Sequence, residues 1–197
     1  MPTEQRIEKV TRLLSFRQPD LRVVLEGVTI AHNASAVIRT CDAAGVLYVD
    51  IISPNPESIL FNEAISTRAE KWVEFNFYSS ISECLSLLKK KGLKIAATHL
   101  GEESLPYTKL DYTQPIAIVF GNESEGISPE ALEFADYKIK IPMVGMVQSL
   151  NLSVSVAIIL YEAFRQRQVK GFYHKRRLSD EEFNSLLKKL LRLNSKL

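Results

Sequence analysis

Cysteine is scarce in this 197-residue chain: Cys41 and Cys84 are the only two. They make no disulfide framework and sit in no metal-ligand spacing, so both are expected to be packing residues. The histidines His32, His99 and His174 are scattered, and neither an HExxH pair nor a paired-cysteine motif occurs, which leaves metal catalysis without support. No GxGxxG follows an apolar run and no GKS or GKT is present, so the common dinucleotide and P-loop sites are excluded. No apolar run approaches the roughly 20 residues of a membrane span, and the opening MPTEQRIEKV lacks a signal-peptide core. The expectation is a cytoplasmic protein with no membrane partner and no metal.

What is present is a composition of 46% hydrophobic and 24% charged residues, that of a soluble globular chain. At this length it is able to bury about 70% of its unfolded surface in one domain. A net charge of +2 conceals a sorting by position. Residues 1–22 hold five basic groups against three acids, and residues 165–197 hold ten against three, so the centre is −7 and the two ends together are +9. Basic arms on an acidic body suit a polyanion. The segment RQRQVKGFYHKRRL, Arg165 to Leu178, has six Arg or Lys and no acid, with Phe172 and Tyr173 among them. Cations for phosphates beside rings able to stack on bases favour a nucleic acid over a merely solvated helix face.

Along the chain, Ile7, Val10 and Leu14 recur at helical spacing, with Pro19-Asp20 expected to close that helix. LRVVLEGV reads as a buried strand. Asn33 then stands at an expected N-cap position, followed by Ala34, Val37, Ile38, Cys41 and Ala44 on one apolar face. VLYVDIIS is a second strand, followed by a polar stretch holding Pro54 and Pro56. Ser80 to Lys91 reads as an amphipathic helix stopped by Gly92, LKIAATHL as a strand, PIAIVFG as a strand buried on both faces, and YKIKIP as another. Ser179 with Glu182 makes a capping box for a last helix through Leu187, Leu190 and Leu191. This alternation predicts an α/β fold with a mostly parallel sheet flanked by helices. The division expected is an N-terminal helical arm (1–20), a core (21–164) and a basic C-terminal arm with its helix (165–197).

Ligands of such sheets lie beyond the carboxyl ends of the strands. Three segments leave strands with polar or glycine residues: HNASAVIRT, FGNESEGIS and IPMVGMVQSLN. In the first, Asn33 reads equally well as a plain helix cap, whereas Arg39 stands among apolar neighbours and its guanidinium calls for an anion. In the second, Gly121 and Gly126 permit close backbone approach, and Asn122 or Ser128 is a candidate cap. In the third, Ser149 and Asn151 open the helix that continues through Phe164. There, unpaired N–H groups favour an oxygen ligand, or Ser149 merely caps while Ser153 and Ser155 bond back within the helix.

Together the three segments resemble the motifs of the SPOUT-class (SpoU-type) RNA ribose 2′-O-methyltransferases. The matches are N-x-S-A-x-x-R-T in Asn33 to Thr40, F-G-N-E-x-x-G in Phe120 to Gly126, and I-P-M-x-G-x-x-x-S-L-N-x-S in Ile141 to Ser153. The resemblance spans about residues 21–164. RQPDLRVVLE and the basic tail narrow it to the group acting on guanosine-18 of tRNA, with ribosomal RNA or another tRNA position as the alternative target, and an inactive RNA-binding scaffold as the non-enzymatic one.

The resemblance implies a deep trefoil knot in the C-terminal part of the sheet and a homodimer with its site at the interface. S-adenosyl-L-methionine would be held by loops that motif position assigns to Thr98–Gly101, Gly121–Glu123 and Ile141–Leu150. The cofactor residues so implied are Thr98, Leu100, Gly101, Gly121, Ile141, Met143, Ser149 and Leu150. Arg39 is implied as the key catalytic group, arranged with Asn33, Glu123, Ser149 and Asn151. A guanidinium with pKa of about 12 or above makes a poor base, so a charged Arg39 that lowers the hydroxyl's pKa and holds a phosphate is the better reading; which group takes the proton stays open, with Glu123, directly or through water, as one candidate. For tRNA phosphates the arms offer Arg12, Arg17, Arg165, Arg167 and Lys175.

Overall fold

The computed structural model describes residues 2–27, 31–53, 69–122 and 125–192. Thr3 caps the first helix, α1 (Glu4–Ser15), its hydroxyl accepting from the Arg6 amide, and Val10 and Leu14 point inward. The chain then enters β1 (Gln18–Glu26), which takes in Pro19 and Asp20. These two were expected to end the helix; they sit instead where the β1–β2 register slips between Gln18 and Arg22. Proline has no N–H to give the ladder, and a bulge accommodates it. α2 (Ala31–Ala43), β2 (Val46–Ile52), β3 (Glu74–Tyr78) and α3 (Ile81–Lys90) follow. Ser80 caps α3 and Gly92, at φ +81°, stops it.

Next come β4 (Lys94–Thr98), the short β5 (Leu105–Pro106), β6 (Ile116–Phe120) and α4 (Pro129–Phe134), capped by Ser128. β7 (Tyr137–Lys140), α5 (Leu152–Val169) and α6 (Asp180–Arg192) complete the order. The capping box of α6 forms as the spacing predicted: the Ser179 hydroxyl takes the Glu182 amide, and the Glu182 carboxylate takes the Ser179 amide.

The seven strands form one sheet in the order β3-β2-β1-β6-β4-β7-β5, every pair parallel. Central β6 is apolar throughout, as a strand covered on both faces must be, and every residue of it is buried. One face packs Leu21, Val23, Ile118 and Phe120 against α2 and α5; the other packs Val24, Ala117 and Val119 against α3 and α4. Cys41 and Cys84 are fully buried in these two layers, as expected, and burial pushes both thiols well above their ordinary pKa.

A third cluster joins Val10 and Leu14 of α1 to Phe183, Leu186 and Leu190 of α6 over Leu47. The terminal helices therefore share an apolar core and do not extend separately from the body. The expected divisions at residues 20 and 164 fall inside β1 and α5.

Arg22 of β1 and Asp50 of β2 form a buried two-bond ion pair at 2.8 and 2.7 Å, with Asn76 of β3 adding a third donor to the carboxylate at 3.0 Å. Between them these groups satisfy charges that the strands could not otherwise bury.

The order β6-β4-β7 is what positions a site. Because these strands are parallel neighbours, the segments leaving Thr98, Phe120 and Lys140 emerge side by side at one edge of the sheet.

Candidate active site

A cavity of about 560 Å³ opens where those segments emerge. Its wall includes Thr98, Leu100, Gly101, Gly121, Ile141, Met143, Ser149 and Leu150, all eight of the residues expected around a cofactor. Phe120, Ile139 and Ile159 give it an apolar floor. The volume suits a nucleoside-sized ligand.

Each loop is tied to its neighbour. The Thr98 hydroxyl donates to the Val119 carbonyl at 3.1 Å, the His99 amide to the Ile139 carbonyl at 2.9 Å, and the Lys140 ammonium to the Gly101 carbonyl at 3.1 Å. After β6, Asn122 and Gly126 form a two-bond backbone bridge at 3.1 and 2.8 Å. Gly126 turns at φ +73°, and a Cβ on Gly121 would stand 2.1 Å from the Gly126 carbonyl oxygen. Only glycine lets the two backbones approach so closely. The Asn122 amide donates to the Gly27 carbonyl at 2.9 Å, and the Glu26 carboxylate accepts the Ser128 amide at 3.0 Å, so this loop is anchored to the exit of β1. Glu123 lies outside the described residues.

The alternation of amides and hydroxyls before α5 has a structural account. Asn151, not Ser149, is the N-cap: its side-chain oxygen accepts from the Ser153 amide at 2.8 Å and from the Ser153 hydroxyl at 2.7 Å. Its amide nitrogen donates to the Asn33 side-chain oxygen at 3.3 Å. One residue thus ends the cavity loop, starts α5 and reaches α2, while Ser149 is left facing the cavity.

Asn33 was expected to cap α2; the helix begins at Ala31, so Asn33 is its third residue, buried, with its side chain turned to Asn151. Arg39 was expected to lie against the core and need an anion there. It is exposed, outside the cavity wall, and has no hydrogen bond or ion pair among the described residues. Val37, Ile38 and Cys41 take the buried face of α2 without it.

Two of the five arginine and lysine residues expected to meet RNA are internal. Arg17 is 1% exposed, paired with Asp42 and donating to the carbonyls of Val46 and Trp72. Arg167 is 0% exposed and donates to Asp20 at 2.6 Å and to the carbonyls of Tyr112 and Gln114. Both are structural and cannot present a guanidinium to a phosphate. Burial lowers the Arg167 pKa and Asp20 opposes the shift.

Arg12 and Lys175 are exposed, and Arg165 is exposed but held by Glu162 at 2.7 and 2.8 Å. The two aromatics of the basic tail are also engaged internally. Phe172 lies 3.9 Å beneath the Arg177 guanidinium, and Tyr173 packs on Phe164 while its hydroxyl donates to the Ala44 carbonyl at 3.0 Å.

His99 and Gln148, which lie within two of the expected loops but were not singled out, also line the cavity, and so does Ser155 of α5. Gln148 occupies a variable position inside the third motif and Ser155 stands two residues beyond it, so adjacency to the motif residues was their only signal. Among the described residues no group of three metal-ligating side chains occurs and no helix is long and apolar enough to cross a membrane.

Comparison with known proteins adds to this geometry. Residues 20–161 match the family described as SpoU rRNA Methylase. A relative from Aquifex aeolicus (strain VF5), named tRNA (guanosine(18)-2′-O)-methyltransferase, is 45% identical over 186 residues, 94% of this chain and 88% of its own. The crystal structure of the A. aeolicus TrmH/SpoU tRNA modifying enzyme is similar at TM-score 0.92 and 44% identity, covering 97% of each chain. The SpoU methyltransferase AviRb from Streptomyces viridochromogenes, solved with the cofactor AdoMet, is 26% identical at TM-score 0.67, covering 77% of this chain and 62% of that one.

Proposed function

The chain belongs to the SpoU rRNA methylase family, and from that membership we propose that it transfers a methyl group from S-adenosylmethionine to the ribose 2′-hydroxyl of guanosine 18 in tRNA. The observation that carries this reading is the single cavity into which the loops after β4, β6 and β7 converge, with all eight anticipated cofactor residues on its wall. An apolar floor beneath backbone-lined loops fits a flat base, and the close approach at Gly121 fits a ligand held by main-chain groups. The relative named for guanosine 18 of tRNA aligns with 94% of this chain, and such coverage favours the same target here.

The loops carrying Thr98, Leu100, Gly101, Gly121, Ile141, Met143, Ser149 and Leu150 would hold the cofactor, which would supply an electrophilic methyl group for the ribose oxygen and leave as the neutral thioether. The protein's part is positioning and charge stabilisation. The Arg39 guanidinium, free of any side-chain partner among the described residues, holds a phosphate beside the target ribose and stabilises the charge that develops on the attacking oxygen. The Asn33–Asn151 bond fixes the start of α5 relative to α2, and hence Ser149 relative to Arg39. Glu123 accepts the proton.

The site is completed by a second copy of the chain. Val144, Met146 and Val147 beyond β7 are 105%, 99% and 62% exposed, and Val154 and Tyr161 present further apolar surface on α5, which a homodimer would cover. The same reading includes the family's trefoil knot, RNA contact through Arg12, Arg165 and Lys175, and residence in the cytoplasm with the tRNA. Incubating unmodified tRNA transcripts with labelled S-adenosylmethionine and mapping the methylated nucleotide tests it. Label at guanosine 18 is expected; label at another tRNA position or nowhere contradicts it.

A further inference from the structure

A second cavity, of about 420 Å³, lies at the turn after α5 and is walled by Lys170, Gly171, Phe172, Lys175, Arg176 and Arg177. Lys170 and Lys175 are exposed, and their side-chain ammonium groups have no hydrogen bond or ion pair among the described residues. Arg177 lies over the Phe172 ring and donates to Asp20 Oδ2 at 2.5 Å, while its Nε is buried with no partner. The other carboxylate oxygen of Asp20 accepts from Arg167 at 2.6 Å, and Arg167 also donates to Gln18 Oε1 at 3.1 Å. One carboxylate on β1 therefore joins two arginines ten residues apart and closes the turn between them around Phe172, which both guanidiniums face.

We infer that Asp20 is a positioning residue for RNA: by fixing Arg177 against Phe172 it holds the 170–177 cavity in the shape that receives a phosphate of the substrate. This rests on the reading of the basic arm as the RNA-facing surface. An exposed arginine loses considerable rotamer freedom on ordering. Asp20 and Phe172 impose that order before RNA arrives, leaving Lys170 and Lys175 to complete a three-sided cation site for a group with several acceptor oxygens.

The sign of the effect separates positioning from simple charge. Asp20 adds negative potential to a wall meant for a polyanion, so electrostatics alone predicts that Asp20→Asn tightens RNA binding. Positioning predicts the reverse. With the full-length protein and a tRNA transcript, Asp20→Asn is expected to weaken binding about tenfold. The loss should appear in KM for tRNA while KM for the cofactor stays native, and the log–log salt slope should fall by about 0.7–0.9, as for one lost phosphate contact. Asp20→Glu is expected to restore part of the affinity. In an Arg177→Ala background, Asp20→Asn should add less than about twofold, because the two act through one contact.

Native or tighter tRNA binding by Asp20→Asn overturns the proposal. Should that variant lose cofactor binding through misfolding, Arg177→Lys decides instead. It keeps the charge but lacks the fork that spans Asp20 and a phosphate, so it should lose the same factor, and native affinity there overturns the proposal equally. Lys170→Ala with Lys175→Ala is the separate control. If that pair leaves tRNA affinity untouched, the arm is not the RNA surface, and the proposal falls with that reading.

Discussion

Alanine at position 121 is the most informative single substitution at the cofactor cavity. Its Cβ would lie 2.1 Å from the Gly126 carbonyl oxygen and 2.4 Å from the Ile127 nitrogen, where ordinary contact begins near 3.4 Å. All three nearest atoms belong to backbone, so no side chain can rotate away. The 126–127 segment must retreat by roughly 1 Å, against the Asn122–Gly126 bridge and the Glu26–Ser128 bond that hold it. A displacement of about 1 Å in a positioning loop is enough to cost on the order of 100-fold in rate, and overpacking of this kind costs about 1–3 kcal/mol of stability. Calorimetry with S-adenosylmethionine and single-turnover methylation measure the two consequences. Cofactor affinity should weaken at least about tenfold and the single-turnover rate fall about 100-fold, with tRNA affinity native. A variant that binds the cofactor as tightly as the native protein would refute the reasoning, because the cavity wall could not then have this backbone path.

Arg39→Lys keeps the charge and loses the planar fork; single-turnover methylation should drop by about 100-fold or more, and a near-native rate would remove any role for the fork. Asn33→Ala and Asn151→Ala should be non-additive in cofactor-dependent methylation, with a coupling of about 1 kcal/mol, whereas strict additivity would mean their hydrogen bond is idle. Arg17→Met strips the partner from the Asp42 carboxylate and from the carbonyls of Asp42, Val46 and Trp72, so denaturant unfolding should show a loss of about 3 kcal/mol while the salt slope of tRNA binding stays unchanged. Burial raises the pKa of both Cys41 and Cys84, so each remains a protonated thiol up to and beyond pH 8; a thiol reagent should report no reactive group until denaturant is added. Tyr161→Glu with Val154→Glu should yield monomers in sedimentation and abolish methylation together.

How much was legible in the sequence depended on the kind of signal. β1 and β6 were readable because strands covered on both faces carry near-continuous apolar runs, and the Ser179–Glu182 box because its two bonds span three residues. β3 was missed: EFNFY is short, lies at the sheet edge and is only half-buried, so it has neither a long apolar run nor clean alternation. The motif loops were locatable because strand exits in a parallel sheet share one edge, yet the start of α2 was misjudged by three residues, since Asn33 finds its partner 118 residues away rather than in its own first turn.

Arg17 and Arg167 show the limit most plainly. A buried arginine and a phosphate-facing one look alike in a basic segment, and what separates them here is Asp42 at 25 residues' distance and Asp20 at 147. Charge counting found the arms but could not tell which of their cations were already bound.

The central claim is that the ribose hydroxyl of one guanosine receives the methyl group carried in the cavity beyond β4, β6 and β7. A tRNA transcript carrying a single 2′-deoxyguanosine at position 18 tests it most directly, assayed with labelled S-adenosylmethionine beside the all-ribose transcript. The account predicts native binding of both RNAs and methyl incorporation into the ribose transcript alone. Equal incorporation into the two would contradict it.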